Sequence, residues 1–396
     1  MAKKTIILFV AQLYTSGGKT AMVFHMAELF VAAGYDVTIC AFWQPLPHWL
    51  MRLKKIIPIP TGVKLTHIFS LKDREFKTFS VYHAKKKNSQ QRLDAFCAYC
   101  EGIGSDAIYL PNYGDDIQAM VQKHVPKRVF KILGDHNGTR YSYLDALDET
   151  SAMLPKHQKF YAIAKKFDAL HVVNPLVTRH VTDHVKTVIK IPNFIRNQPA
   201  PTMRFIKSQT IVACGRLVEP KNFADLIKAF QISVNAHPEW SLEIYRRGPQ
   251  HSELKKLIAE LEVGQSVSIL KPSSDFREHL SNAAMHVSSS KFESFGLTLA
   301  EAMSYGVPVV SQYNHIGAKF LLDDGRGQLA DLPNAQSVTD LISKNMGMIE
   351  KGDPDNVLRR QVEKAYLFSK TISDEKALGL WKDTLDQGLQ QKLLAE

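Results

Sequence analysis

The chain lacks a long apolar run and contains little cysteine. Within its 396 residues, no apolar stretch approaches the roughly 18–20 residues that a membrane-spanning helix needs. Its four cysteines are too few to form a disulfide framework for a chain of this length. These absences argue against an integral membrane protein and against a disulfide-rich secreted protein. We therefore expect a cytoplasmic protein.

Metal-ligand patterns are also scarce. Cys97 and Cys100 have the spacing of half a zinc site, but no second pair follows nearby. Asp353 and Asp355 form the only Asp-x-Asp pair, and an acidic residue at that place is typical of a helix cap. We predict two core cysteines one helical turn apart, a capping aspartate, and neither a metal site nor a bound cofactor.

Negative charge is in deficit. The sequence has 39 Asp and Glu against 50 Lys and Arg, so its net charge is +11. Ten of the cations, among them Lys85, Lys86 and Lys87, lie between Met51 and Gln90, interleaved with apolar and aromatic residues. Clustered charge of one sign attracts an anionic polymer or an anionic membrane surface. A solvated face of a loop-rich insertion is the alternative, and nucleic acid is not expected because no binding module for it is recognisable.

Strand and helix patterns alternate along the chain, which favours parallel sheets covered by helices. The length allows two domains of about 200 residues. The first apolar stretch follows two lysines as in a signal peptide, but it is short and passes directly into a helix pattern, so we predict a strand. The predicted strands are Thr5–Val10, Asp36–Phe42, Ala107–Leu110, Val129–Leu133, Leu170–Val173, Val188–Ile191, Thr210–Cys214, Ser241–Tyr245, Val267–Leu270, Met285–Ser288 and Val307–Val310. The polar, proline-containing segment Pro192–Lys207 is the predicted linker.

The most informative stretch places two carboxylates, Glu293 and Glu301, eight positions apart. We predict a loop around Glu293 and a helix over Leu297–Tyr305 that carries Glu301 and ends at Gly306. The free amides at the start of that helix suit a phosphate. Carboxylates beside an anion site must bind hydroxyls rather than the anion, and a ligand with both phosphate and hydroxyls is a nucleotide-sugar.

This stretch resembles the E-x7-E motif of retaining glycosyltransferases of the GT-B fold, glycosyltransferase family 4. The segments Lys291-Phe-Glu-Ser-Phe-Gly-Leu297 and Glu301-Ala-Met-Ser-Tyr-Gly-Val-Pro-Val-Val310 carry the resemblance. It implies an α/β GT-B fold, in which two Rossmann-like domains face each other across a cleft and a C-terminal helix braces the first. The implied domains are an acceptor domain at 1–192 with a basic insertion at about 44–90, a nucleotide-sugar domain at 193–375 and the helix at 376–396.

Three further segments fit the same family. Gly215-Arg-Leu-Val-Glu-Pro-Lys-Asn222 resembles its Gly-Arg-Leu-x-x-x-Lys-Asn loop, whose cations neutralise the charge on the departing diphosphate. Thr15-Ser-Gly-Gly-Lys-Thr20 resembles its glycine loop near the donor diphosphate and the acceptor. Leu133-Gly-Asp-His-Asn-Gly138 places His136 where the family has a histidine that contacts the donor sugar. A loop histidine bonded to its own turn is the alternative for His136.

The resemblance implies a role for each matching residue. Its catalytic residues would be Glu293, His136, Arg216 and Lys221, and its donor-binding residues Gly17, Gly18, Arg216, Lys221, Phe295, Gly296, Leu297 and Glu301. Glu293 would contact hydroxyls of the transferred sugar, and Glu301 would hold the ribose. Lys85, Lys86 and Lys87 would meet the acceptor or a membrane.

One segment departs from the family pattern. Tyr245-Arg-Arg-Gly-Pro249 stands where the family has Gly-x-Gly-Pro, so Arg246 replaces a glycine. Either the backbone is displaced there or an additional cation approaches the nucleotide.

The resemblance implies a retaining, metal-independent hexosyltransferase that uses a nucleoside-diphosphate sugar, most simply a UDP-hexose. The sequence Gly17-Gly-Lys-Thr-Ala-Met22, at the start of the first predicted helix, and the basic segment together resemble bacterial enzymes that glycosylate teichoic acids. Lipid-linked intermediates of capsule or exopolysaccharide synthesis are the alternative acceptors, reached at the inner face of the cell membrane. A nucleotide-sugar epimerase and a non-catalytic partner subunit are rivals from other classes.

Overall fold

The structure is a computed structural model, and it describes residues 3–12, 18–43, 60–69, 89–111, 115–136, 155–196, 198, 207–270, 276–312, 315–330 and 335–395. The described residues divide into two compact units. The first comprises the residues up to Pro192 together with those from Ala377 onwards, and the second comprises Asn193–Lys376.

In the first unit, described strands form a parallel sheet in the order β3-β2-β1-β4-β5-β6-β7. The strands are β1 (Thr5–Gln12), β2 (Asp36–Trp43), β3 (Lys64–Phe69), β4 (Ala107–Pro111), β5 (Phe130–Asp135), β6 (Ala169–Val172) and β7 (Val188–Ile189). The helices are α1 (Gly18–Ala32), α2 (Ser89–Glu101), α3 (Asp115–His124), α4 (Pro155–Ala164) and α5 (Thr178–Val181), with a 3-10 turn at Pro175–Val177. Both β4 and β5 are buried along their whole length, as expected for parallel strands covered on both faces.

In the second unit, described strands form a parallel sheet in the order β10-β9-β8-β11-β12-β13. The strands are β8 (Thr210–Cys214), β9 (Ser241–Tyr245), β10 (Val267–Leu270), β11 (Met285–Ser288), β12 (Val309–Ser311) and β13 (Gln328–Leu329). The helices are α6 (Phe223–Val234), α7 (His251–Glu260), α8 (Arg277–Leu280), α9 (Leu297–Ser304), α10 (Ile316–Leu322), α11 (Ala335–Glu350) and α12 (Val357–Thr371), with a 3-10 turn at Glu219–Lys221. The predicted bounds of β8, β9, β10 and β11 are confirmed, whereas the predicted start of β12 at Val307 is two residues early.

Two smaller predictions are also resolved. Asp353 does cap a helix, because its two carboxylate oxygens accept from the amides of Leu358 and Arg359 at 3.2 and 2.9 Å, at the start of α12. Cys97 and Cys100 both lie on α2, but only Cys100 is buried, so the prediction of a core pair is half correct.

The last helix, α13 (Asp374–Ala395), packs on the first unit through its residues from Ala377 onwards. Trp381 is buried, and its ring centroid lies 5.7 Å from those of Phe30 and Tyr109 and 4.8 Å from that of His171. About two turns further on, Gly388 packs so closely against the rest of the first unit that an added Cβ would lie 2.4 Å from the Phe130 ring. The helix is therefore an integral part of this core.

Two glycines on α13 give a matched test of this packing. We expect Gly388→Ala to destabilise the protein by about 1–3 kcal/mol, because the new methyl group overlaps a buried ring. Gly379→Ala, where no atom lies within 4 Å of the added Cβ, should instead stabilise the helix by up to about 1 kcal/mol. Urea unfolding of both variants measures the difference, and equal stabilities would contradict the packing described.

Candidate functional site

In the second unit, strands β8 and β11 are neighbours although the chain visits two other strands between them. The sheet order reverses at this pair, and open parallel sheets bind ligands outside the carboxyl ends of strands at such a point. The loop after β8 carries Arg216 and Lys221, and the loop after β11 carries Glu293. Residues distant in sequence are thus brought to one edge of the sheet.

Several hydrogen bonds hold these two loops together. The Ser289 hydroxyl donates to the carbonyl oxygen of Lys221 at 2.7 Å, and the amide of Lys291 donates to the carbonyl oxygen of Pro220 at 2.9 Å. The Lys291 ammonium also pairs with the Glu219 carboxylate at 2.5 Å. Because backbone and side-chain contacts both cross the gap, the loops form one rigid support for the groups they carry.

The side chains of Lys221 and Glu293 form an ion pair across this support. The Ser290 hydroxyl donates to the same carboxylate oxygen at 3.2 Å. About a quarter of each charged side chain is exposed (24% for Lys221 and 23% for Glu293), so the pair is accessible from solvent. The structure therefore brings together two residues that the sequence analysis predicted as catalytic.

The loop from Glu293 to Leu297 is fixed from its other side by α10. The amide of Gly317 donates to the carbonyl oxygen of Glu293 at 3.1 Å. A Cβ on Gly317 would lie 2.7 Å from the carbonyl carbon and oxygen of Phe295, so only glycine allows this approach. Gly296 adopts a positive φ of 89° directly before α9, whose first residue is Leu297. The predicted amides therefore sit at a helix start, as expected.

Cys214, at the end of β8, is influenced by several charged residues of the site. Burial raises the pKa of its thiol to about 11, Arg246 and Lys221 act in the opposite direction, and Glu301 acts with burial. The Arg246 guanidinium also forms a hydrogen bond with the thiol. The charges of Glu301 and Lys221 therefore both act at the end of β8.

Arg246, which replaces a glycine of the family pattern, keeps the backbone conformation of that glycine and also adds a cation. Its φ is 128°, a conformation that favours glycine, so the backbone keeps the glycine-like geometry. The side chain adds a cation beside Cys214. Arg216, in contrast, is an exposed side chain on the neighbouring loop.

In the first unit, His136 follows β5 and belongs to a buried chain of polar groups. Its Nε2 lies 2.7 Å from the Tyr109 hydroxyl, which lies 2.7 Å from Nδ1 of His171. Nε2 of His171 lies 2.7 Å from the carbonyl oxygen of Ile191. Burial lowers the pKa of His171 to about 4 and that of His136 well below its ordinary value, so both rings are neutral near pH 7.

These contacts fix the positions of the protons. A carbonyl can only accept, so His171 must donate from Nε2, and its Nδ1 accepts from the Tyr109 hydroxyl. The Tyr109 oxygen then accepts from Nε2 of His136. In its neutral form, His136 therefore keeps its acceptor lone pair on Nδ1.

Lys19 is a residue that the sequence analysis did not single out. Burial lowers its pKa to about 8, and the charge of Asp135 partly offsets this effect. Its charge also acts on His136, so the start of α1 lies near the end of β5. Lys19 is part of the motif Ser-Gly-Gly-Lys-Thr, so the sequence could have indicated it.

Of the two predicted glycines, Gly18 is the first residue of α1. Gly17 lies outside the described residues, as do Lys85, Lys86 and Lys87.

None of the helices among the described residues is long and apolar enough to cross a membrane. Nor do those residues contain a group of three or more His, Cys, Asp or Glu side chains placed to hold a metal ion.

Comparison with known families gives a match in the second unit. Residues 195–352 match the family model described as "Glycosyl transferases group 1". The matched range contains the loops after β8 and β11, and so both members of the Lys221–Glu293 pair. The second unit is therefore similar to glycosyltransferases of this group over residues 195–352.

Two bacterial relatives each match about half of the chain. An exopolysaccharide phosphotransferase of Streptomyces coelicolor is 32% identical over 195 residues, which are 49% of this chain and 20% of the relative. A poly(glycerol-phosphate) alpha-glucosyltransferase of Bacillus subtilis is 27% identical over 190 residues, which are 47% of this chain and 27% of the relative. The chain thus spans less than a third of the length of either relative.

Solved structures establish the fold. A mutant of S. aureus TarM, crystallised in complex with fondaparinux, alpha-GlcNAc-glycerol and UDP, matches with a TM-score of 0.76 at 15% identity. The match covers 96% of this chain and 99% of the TarM chain. The predicted α/β GT-B fold is confirmed.

The buried chain of polar groups in the first unit gives a test. Tyr109→Phe removes the hydroxyl between the two histidines and leaves two buried groups unsatisfied, so we expect a loss of about 2–4 kcal/mol in stability. Tyr35→Phe is the control, because its hydroxyl bonds to the exposed Asp386 and its removal should cost about 1 kcal/mol or less. Equal losses in the two variants, measured by urea unfolding, would contradict the network.

Proposed function

We propose that the protein is a retaining glycosyltransferase that moves a hexose from a nucleoside-diphosphate sugar, most simply a UDP-hexose, to a cell-surface glycopolymer such as teichoic acid. The observation that carries the proposal is the accessible Lys221–Glu293 pair at the β8–β11 edge of the unit that is similar to group 1 glycosyltransferases. A cation and a carboxylate held side by side suit a ligand that carries both phosphate and hydroxyl groups.

The donor would use the charges of this site in two ways. Lys221 and Arg216 would bind the diphosphate and neutralise the charge that develops on it as it leaves. Glu293 would accept hydrogen bonds from hydroxyls of the transferred sugar, and its pairing with Lys221 reduces its repulsion of the phosphate. Glu301 would hold the ribose hydroxyls, and the amides of residues 295–297 would meet phosphate and sugar.

The reaction would proceed by attack on the same face from which the diphosphate departs. The bond between the anomeric carbon and the phosphate oxygen breaks, and a bond to the acceptor hydroxyl oxygen forms. The hydroxyl proton passes to the departing phosphate oxygen, so no protein nucleophile is required. Lys221 and Arg216 would supply the positive charge for this step, which makes it independent of a metal. His136 is proposed as a further catalytic residue that contacts the transferred sugar.

The acceptor is inferred from charge and from the relatives. One relative is named for poly(glycerol-phosphate), and the TarM complex contains UDP and alpha-GlcNAc-glycerol. A polyanionic acceptor suits the net charge of +11 and the basic segment that contains Lys85, Lys86 and Lys87. Lipid-linked precursors of exopolysaccharide are the second candidate, since another relative is named for exopolysaccharide.

The direct test measures nucleotide release from a panel of UDP-, GDP- and ADP-sugars, first alone and then with teichoic-acid or lipid-linked acceptors. Release from one donor that an acceptor accelerates supports the proposal. A new sugar isomer without transfer indicates the epimerase instead. Absence of both release and nucleotide binding indicates a non-catalytic partner subunit.

A lysine variant tests the role of the ion pair in the reaction. We expect Lys221→Ala to reduce transfer by about 10²–10³-fold, because the leaving diphosphate loses a cation. Lys256→Ala is the control: this lysine is 79% exposed, in a surface pair with Glu260 on α7, and its loss should leave transfer unchanged. Circular dichroism confirms folding of both variants, and transfer retained by Lys221→Ala would refute the assignment.

The acceptor proposal has its own test in the basic segment. We expect reversal of charge at Lys85, Lys86 and Lys87 to weaken binding of teichoic acid, most clearly at low salt where screening is small. Binding of UDP should not change. Sedimentation with teichoic acid and with anionic vesicles separates the two acceptor classes, and unchanged affinity for both would exclude this segment as the contact.

A further inference from the structure

Two polar side chains that follow β12 are fully buried and lack the hydrogen bonds they could make. Gln312 is 0% exposed and His315 is 3% exposed. Among the described residues, the side-chain amide nitrogen and oxygen of Gln312 have no hydrogen-bond partner. The same is true of the ring nitrogen Nε2 of His315. An unsatisfied buried polar group costs about 1–3 kcal/mol, so native proteins keep few of them without a functional reason.

The position of the proton on His315 follows from its one hydrogen bond. Nδ1 accepts from the amide of Ala318 at 3.0 Å, which caps the start of α10. The proton of the neutral ring is therefore on Nε2. Burial lowers the pKa of His315 to about 4, so the ring is neutral near pH 7. The unsatisfied group is thus an N–H donor rather than a cation.

His315 lies in a segment that packs against the loop of Glu293. Two residues after His315, the amide of Gly317 donates to the carbonyl oxygen of Glu293 at 3.1 Å. After burial, the charge of Glu293 and then that of Lys221 are the next largest influences on the pKa of His315. Gln312 lies at the same edge of the sheet, because its backbone amide donates to the carbonyl oxygen of Ser288 at the end of β11.

A carboxylate acceptor and a neutral N–H donor on neighbouring segments together match one particular ligand group. A hydroxyl can donate to the carboxylate and accept from the N–H at the same time. A phosphate oxygen could accept from the N–H, but it would be repelled by the carboxylate. The pair of protein groups therefore selects a hydroxyl.

We infer that His315 is a specificity-determining residue, whose Nε2–H binds, together with the Glu293 carboxylate, one hydroxyl of the transferred sugar. The inference rests on the proposed function, because it assumes a nucleotide-sugar at this site. Gln312 supplies a further donor and acceptor on the same loop. The transferred sugar is thereby recognised through hydroxyls whose loss would leave buried protein groups unsatisfied.

Two substitutions separate the functions of the two ring nitrogens. His315→Asn places an amide oxygen where Nδ1 lies, so it keeps the helix cap, but it removes the donor at the Nε2 position. His315→Gln places an amide N–H near the position of Nε2, but it loses the acceptor that caps α10. The first variant therefore tests sugar binding in a folded protein, and the second tests whether a donor at that point restores it.

Isothermal titration with UDP and with UDP-hexose, for the wild type and both variants, measures the effect. We expect His315→Asn to bind UDP-hexose roughly tenfold more weakly while its affinity for UDP stays within about twofold, the size of one hydrogen bond. His315→Gln should recover part of the loss. In the wild type, one UDP-deoxyhexose should show a similar loss, and His315→Asn should not add to it.

The outcomes distinguish this inference from the function on which it rests. Wild-type affinity of His315→Asn for UDP-hexose, or an equal fall for UDP and UDP-hexose, would overturn the assignment of His315 and leave the proposed transferase intact. Failure of the wild type to bind any nucleotide-sugar would overturn both.

Discussion

The site in the second unit depends on the ion pair between Lys221 and Glu293. Each residue lies in a loop that follows a different strand, and the loops become neighbours only because β8 and β11 are adjacent in the sheet. Hydrogen bonds from Ser289 and Lys291, in the loop after β11, to backbone carbonyls in the loop after β8 then hold the two loops together. The pair holds a positive and a negative group at fixed positions before any ligand arrives, so little reorganisation is needed on binding.

The surroundings of this pair are built from unusual local geometry. Gly317 lies against the Phe295 carbonyl where no side chain fits, and Gly296 and Arg246 both adopt positive φ. Such conformations cost energy and persist where the surrounding structure requires them. Their concentration around one ion pair indicates that this edge of the sheet is shaped for a ligand. The first unit contains a second specialised feature, a chain of buried hydrogen bonds that joins His171, Tyr109 and His136.

Sequence patterns predicted much of this architecture. Strands β8 to β11 are short apolar runs with turn signals on both sides, and such runs are defined by local sequence alone. Strand β3 was not predicted, because Lys64 and His67 interrupt its apolar pattern and its pairing with β2 is a tertiary contact. The E-x7-E spacing indicated Glu293 and Glu301, and the loop motif indicated Lys221. The roles of Tyr109, His171 and His315 could not be predicted, because burial and hydrogen bonding across distant segments define them. No local pattern distinguishes a buried histidine with an unsatisfied N–H from an exposed one.

We propose that, within the Lys221–Glu293 pair, Lys221 binds the diphosphate of a nucleotide-sugar and Glu293 binds the transferred sugar. Calorimetric titration of UDP, which lacks the transferred sugar, is the decisive experiment when Glu293→Gln and Lys221→Met are compared with the wild type. If the claim holds, Lys221→Met weakens UDP binding, whereas Glu293→Gln preserves or strengthens it, because the lysine is released from its partner and a negative charge is removed. Equal weakening in both variants, or UDP affinity that neither substitution alters, would contradict the account.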